Sequence, residues 1–221
     1  LKQGLTSPLA CKRQLWDFAF AGADVAEEFT PLHHSWTVPL VNQTQQYLTW
    51  AEPVIGKSMD KSKALVAVWT GINDINDSAK YNVSFPALYN SIIDAIFEKT
   101  VQPMYDAGYH NFLFVNLPPL DRTPGNHMSP NPLPNKTMIG WWDQTLHNHT
   151  ISFTAENPTA TAMLFDANTF LNHVLDHPEE YGIKDTTSYC RAYDQLGVLT
   201  DPESYGCRPL DQYFWFNTGH M

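Results

Sequence analysis

The sequence predicts an α/β protein, a three-layer α/β/α sandwich built on a mostly parallel sheet. Two patterns carry that expectation. Short apolar runs alternate with longer segments whose apolar residues recur at helical spacing, the order of a βαβ chain. The runs are also apolar almost throughout, as strands are when helices cover both faces of a parallel sheet. Size is the third observation: 221 residues, 43% hydrophobic and only 16% charged, suit one large domain spanning 1–221. The same composition excludes a disordered or coiled-coil chain.

Taken in order, Leu15 to Ala21 is a first strand, closed by a turn at Gly22-Ala23-Asp24. A helix runs from about Pro39 to Trp50, with proline at its first position. Ala64 to Thr70 is a buried strand ended by Gly71, and Ser84 to Ala107 a long helix that places Leu88, Ile92 and Ile96 on one face. Gly108 ends that helix and Pro103 kinks its last turns. Asn111 to Leu117 is the next strand, stopped by Pro118-Pro119, and Thr123 to Pro134, with four prolines, is a loop. A helix from about Lys136 to Ala155, the strand Ala162 to Asp166 and a helix through Asp176 follow. A long irregular segment holding Cys190 and Cys207 leads to a last apolar run, Tyr213 to Phe216, and then to Asn217-Thr218-Gly219-His220. No internal repeat, linker or second domain is visible.

Charge narrows the partners. Thirteen Lys+Arg against 23 Asp+Glu give a net charge of −10, the wrong field for nucleic acid or an anionic membrane surface. No apolar run approaches the roughly 18 residues of a membrane span. The expected partner is a small molecule, the expected state a monomer, and the expected cofactor and metal complement none.

Cys190 and Cys207 are spaced for a disulfide-closed loop, although spacing alone admits two buried thiols equally. Five glycosylation sequons, at Asn42, Asn76, Asn82, Asn135 and Asn148, exceed the roughly two that chance would place. They favour an oxidising secretory route, hence a disulfide and an extracellular location. No leader precedes Lys2-Gln3-Gly4, and Cys11 lacks an evident partner. Both features lead us to expect a chain that has been cut or processed.

In a parallel α/β fold the ligand site lies beyond the carboxyl ends of the strands. Three turns there hold suitable chemistry: Gly22 in FAFAGAD, Asn73 in VAVWTGINDIND, and His220 after YFWF. A glycine lets a backbone N–H face a ligand. A carboxamide supplies a neutral donor for an oxyanion, and a histidine can act as general base. Each also has a plainer reading, as a turn residue or a solvated side chain. His33-His34 and His147-Asn148-His149 read as surface histidines rather than metal ligands, because a metal needs three or four converging donors. Asp74 and Asp77 lack EF-hand spacing. Trp36 and Trp141-Trp142 suit sugar stacking or packing alike.

The order of these blocks resembles the SGNH/GDSL hydrolase superfamily, in particular its secreted fungal esterases acting on acetylated carbohydrate. FAFAGADV resembles the Gly block, VWTGINDIND the Asn block and YFWFNTGHM the His block; LFVNLPPLDRTP is similar to the intervening family segment. The resemblance implies a flavodoxin-like SGNH fold and a serine esterase that hydrolyses small acyl esters. Gly22 and Asn73 would be its oxyanion donors and His220 its general base. Two features depart from the pattern. None of the eleven serines follows Gly-Asp, so the nucleophile is expected upstream of Leu1, with the domain truncated at both ends. The family's Asp three residues before the histidine is here Asn217. An Asn carbonyl orients the imidazole without neutralising its positive form. Either another carboxylate replaces it, Asp211 being nearest by sequence, or the enzyme works as a Ser–His dyad. The alternative function is a non-catalytic, secreted, carbohydrate-binding glycoprotein on the same scaffold.

Overall fold

The computed structural model describes residues 11–221; Lys2-Gln3-Gly4 lie outside the described residues. Its centre is a three-stranded parallel sheet in the order β1 (Val66–Val68), β2 (Asn111–Val115), β3 (Thr161–Phe165). Phe112 pairs with Val66 on one side and Ala162 on the other, and Phe114 with Val68 and Leu164. That register puts the two fully buried phenylalanines on one face. Helices flank the sheet, as expected of an α/β/α arrangement.

The face bearing Phe112 and Phe114 packs under α4 (Phe85–Ile96), its continuation Phe97–Val101, and α7 (Lys136–Glu156). Phe97 lies 5.1 Å from Phe114, and Phe153 of α7 5.3 Å from Phe112, ring centre to ring centre. Ile92, Ile93 and Ile96 of α4 are buried in the same core. On the opposite face, Phe165 meets Phe170 of α8 (Ala167–Asp176) at 6.0 Å. Cover is thinner there: Met163 and Phe165 remain about half exposed. Burial therefore alternates along β3, although the apolar run predicts a strand buried on both sides.

The first helix is α1 (Leu40–Gln46), with Pro39 as its N-cap; it widens into a π turn over Tyr47–Ala51 and ends in α2 (Glu52–Ile55). A second π turn, Phe97–Val101, joins α4 to α5 (Gln102–Asp106). It stands just before Pro103, which has no N–H to offer the α-helical ladder, so a widened turn replaces the expected kink. The helix stops where Gly108 adopts φ +95° and the N–H groups of Gly108 and Tyr109 return to the carbonyls of Tyr105 and Met104.

Three sequence expectations need correction. Residues 14–20 form no strand. Phe18 instead sets its edge on Tyr47 at 5.0 Å, because no described strand lies beside this segment to accept its hydrogen bonds. The proline-rich stretch holds a short helix, α6 (Pro124–Met128), started by the Thr123 hydroxyl, which accepts from Asn126 N–H. Tyr213 to Phe216 form no strand either, only an isolated bridge from Tyr213 to Asp185. Phe214 and Trp215 pack instead with Val174 and Leu175 of α8 and with Tyr189, anchoring the cysteine loop. That loop is closed by the Cys190–Cys207 disulfide.

His149 also departs from the surface reading. Its Nε2 lies 2.7 Å from Asp94 of α4 and its Nδ1 2.9 Å from the Thr145 carbonyl, so it ties α7 to α4. His147 is exposed.

Asp143 of α7 accepts the Leu117 N–H at 3.1 Å beside the end of β2. Burial pushes its carboxyl up to about 7, with a smaller push from the Asp166 carboxylate. In the unfolded chain an aspartate ionises near pH 4, so unfolding releases a proton between about 4 and 7 and stability falls as pH rises through that window. Asp143→Asn keeps the acceptor and removes the charge. It should add up to about 4 kcal/mol at pH 8 and almost nothing at pH 4, as read from denaturant unfolding at the two pH values.

Candidate functional site

Gly71 is the hinge between β1 and α3 (Ile72–Ser78). It adopts φ +109° and its carbonyl accepts the Ile75 N–H, so the chain passes from strand to helix across only three residues, Trp69 to Gly71. That abrupt entry sets Asn73 in the first turn of α3, half-buried, just beyond the carboxyl end of β1. The Gly22 turn, with φ +75°, lies against the same helix. Asn73 Nδ2 donates to the Ala23 carbonyl at 2.9 Å, and Asp74 Oδ1 accepts the Val25 N–H at 2.9 Å. Two segments about fifty residues apart are thereby stitched together. One amide hydrogen of Asn73 is engaged by Ala23, leaving a second for a ligand.

Ionisable groups crowd this corner. Asp24 and Asp74 are fully buried. Burial pushes Asp24 up to about 6, and nearby Asp77 pushes it further; His33 and the Thr30 hydroxyl pull it back. Burial raises Asp74 to about 7, the Val25 N–H partly offsetting it. His33 Nε2 lies 2.6 Å from Asp77 Oδ2. Its Nδ1 faces Gly22, where an added Cβ would come within 3.1 Å. His33 is thus not simply solvated, and sequence reasoning overlooked its partners. Asp74 and Asp77 stood in the Asn block, but nothing local links His33 to a carboxylate 44 residues away.

His220 belongs to a tight C-terminal loop. Asn217 Oδ1 accepts from the backbone N–H of Gly219 and of His220 and lies 2.9 Å from His220 Nδ1. The imidazole is exposed, and among the described residues no carboxylate pairs with it. Asp211 sits on a separate turn, Leu210–Gln212. The loop docks through Thr218, whose carbonyl accepts the Gly125 N–H at 2.8 Å.

The structure therefore ties Asn73 to Ala23, next to Gly22 in its turn, and brings the His220 loop near the same helix by another route. Asn76, one turn beyond Asn73, shares a cleft of about 300 Å³ with Thr123, Asn126, Thr218 and Gly219. A second cleft of about 250 Å³, at the carboxyl ends of β2 and β3, is lined by Asn116, Asp143, His147 and Asp166. Gly22, Asn73 and His220 line neither. Of the tryptophans, Trp142 is buried against Gly71, whereas Trp36 stands exposed and stacked on His34 at 4.7 Å. No helix among the described residues is long and apolar enough to cross a membrane.

No model of a known protein family matches the chain. It is similar to a curated acetylesterase of Thermothelomyces thermophilus, 28% identical over 181 residues, a match covering 79% of this chain. The chain spans 58% of that relative's length.

Proposed function

We propose that the chain is the larger part of a secreted serine esterase of the SGNH type, folded as a single domain and cleaving small acyl esters, acetyl groups on carbohydrate foremost. The observation that carries this is the Asn73–Ala23 hydrogen bond, which holds the carboxamide of the Asn block beside the Gly22 turn. Similarity to an acetylesterase supports the reaction class and the acetyl group. The Cys190–Cys207 disulfide supports an oxidising compartment, and all five sequon asparagines are exposed, as glycan attachment requires.

In this mechanism a serine N-terminal to Leu1 attacks the ester carbonyl and His220 takes its proton. The Gly22 N–H and the free Asn73 amide hydrogen receive the negative oxygen that develops on the tetrahedral carbon. Asn217 holds the ring through Nδ1, leaving Nε2 toward the serine. His220 then protonates the leaving alcohol, and a water activated by the same ring hydrolyses the acyl-enzyme. Asn217 cannot neutralise the imidazolium, so the pair works as a Ser–His dyad unless the serine segment brings a carboxylate of its own.

A fluorophosphonate probe tests this reading. A longer protein containing this chain should be labelled on a serine N-terminal to Leu1, and His220→Ala should abolish both labelling and hydrolysis of an activated acetyl ester. The 221 residues alone should show neither. Absence of labelling in the longer protein, or turnover by the 221-residue chain that such a probe blocks, would overturn it. The first result would leave a carbohydrate-binding scaffold.

A further inference from the structure

We propose that Asp24, His33 and Asp77 form a binding site for a divalent transition-metal ion, zinc foremost. The three residues come from two distant segments, the Gly22 turn with the loop that follows it and α3, and the fold brings one donor atom of each within 4.8 Å of the others. Tetrahedral zinc at 2.0–2.1 Å from its ligands spaces donors about 3.3 Å apart, so a modest closure of this cluster satisfies it. The 2.6 Å contact between His33 Nε2 and Asp77 Oδ2 opens slightly as an ion replaces the shared proton.

Proximity alone would not make this a site. The decisive feature is Asp24. Its side chain is fully buried, and among the described residues neither carboxylate oxygen completes a hydrogen bond, the Thr30 hydroxyl standing near without the geometry of one. Beside it, Asp74 Oδ2 is likewise buried, with no partner among the described residues. Buried acceptors are almost always satisfied, and an exception calls for an explanation such as an ion. Three carboxylates meet here, and among the described residues no lysine or arginine pairs with any of them. Among the described residues His33 is the one side chain that faces them with a nitrogen, and a divalent ion balances the two ligating aspartates while the imidazole binds in its neutral form.

The donor set selects the ion. One imidazole nitrogen and two carboxylate oxygens suit zinc, or manganese with added waters. Calcium would want six to eight oxygens, and an imidazole is a poor substitute. Three protein donors leave a fourth position for water. Because His33 also faces Gly22, an ion at this place braces the turn that carries it. The inference stands on these residues alone and does not depend on the esterase reading.

Isothermal titration of the chelator-stripped chain with zinc chloride tests the proposal, with cobalt(II) absorption reporting a tetrahedral nitrogen–oxygen site. One ion should bind per chain. His33→Gln and Asp77→Asn should each weaken binding about a hundredfold and remove the cobalt bands. Both residues lie outside the buried core, so these variants carry the test even if Asp24→Asn fails to fold. His173 and His177, whose rings lie 4.6 Å apart on and just after α8, are a competing place for a metal, and His173→Gln should leave binding unchanged. No binding at millimolar zinc would overturn the proposal. So would binding that survives His33→Gln and Asp77→Asn but is lost in His173→Gln.

Discussion

Asn73→Ala, made in a longer protein that contains the nucleophile, is expected to lower kcat for an acetyl ester about a hundredfold or more while KM changes little. The neutral ester carbonyl makes only weak demands on a donor. The tetrahedral oxyanion makes strong ones, so the loss falls on the transition state at about 3 kcal/mol. The geometry sharpens this expectation. Asn73 Nδ2 already donates one hydrogen to the Ala23 carbonyl, which fixes the direction of the other without reorganisation during the reaction. Asn73→Asp keeps the shape but replaces the donor with a negative charge, and should be at least as damaging. A variant that lost mostly KM, or almost nothing, would remove Asn73 from the oxyanion site. Steady-state kinetics on an activated acetyl ester, with unfolding curves to confirm that the fold persists, distinguish these outcomes.

Gly71→Ala is expected to produce the largest loss of stability of any single methyl addition in the described fold, about 4 kcal/mol. Two costs add at this position. Its φ of +109° is one that L-residues rarely adopt. A Cβ there would also lie 2.1 Å from Cζ2 of Trp142, a fully buried ring with no room to retreat. At this chain length the loss should lower Tm by about 10 °C. Gly182 supplies the control: it has φ +75°, but nothing stands within 4 Å of an added Cβ. Gly182→Ala should therefore cost about 1 kcal/mol, the backbone component alone. Equal losses at the two positions, read from thermal unfolding, would mean that Trp142 yields and that the β1–α3 turn is less tightly held than its packing implies.

The elements legible in the sequence were those whose signal is local. The helix Lys136–Glu156, the strands Asn111–Val115 and Thr161–Phe165, and the helix ending at Asp176 all fall within a residue or two of the pattern that predicts them. So does the Gly108 stop, because a left-handed glycine after a helix is a property of a few consecutive residues. What failed depends on partners. FAFA has a strand's composition, but a strand exists only beside another, and nothing in residues 15–21 tells whether one is adjacent. Tyr213–Phe216 is equally apolar and is spent on packing against α8 and the cysteine loop. The short helix α6 was read as loop because the density of prolines around it points that way, and its Thr123 cap shows only in the structure.

The same division runs through the candidate site. Asn73 and Gly22 were singled out because each sits at a glycine turn beside an apolar run, a signature readable in a handful of residues. Asn217 was singled out by the resemblance alone, because it stands where the family has an Asp; the small loop it closes with His220 is visible only in the structure. Asp24 and His33 were not found. Their significance lies in the meeting of the Gly22 turn and the following loop with α3, and in the burial of a carboxylate that, read along the chain, looks like an ordinary turn aspartate.

A crystal structure of the fluorophosphonate adduct of the longer protein tests the account most directly. The phosphonyl oxygen should lie about 2.7–3.1 Å from both the Gly22 nitrogen and Asn73 Nδ2, with His220 Nε2 facing the serine oxygen. An adduct whose phosphonyl oxygen points away from residues 22 and 73, or whose serine is served by a different histidine, would contradict it.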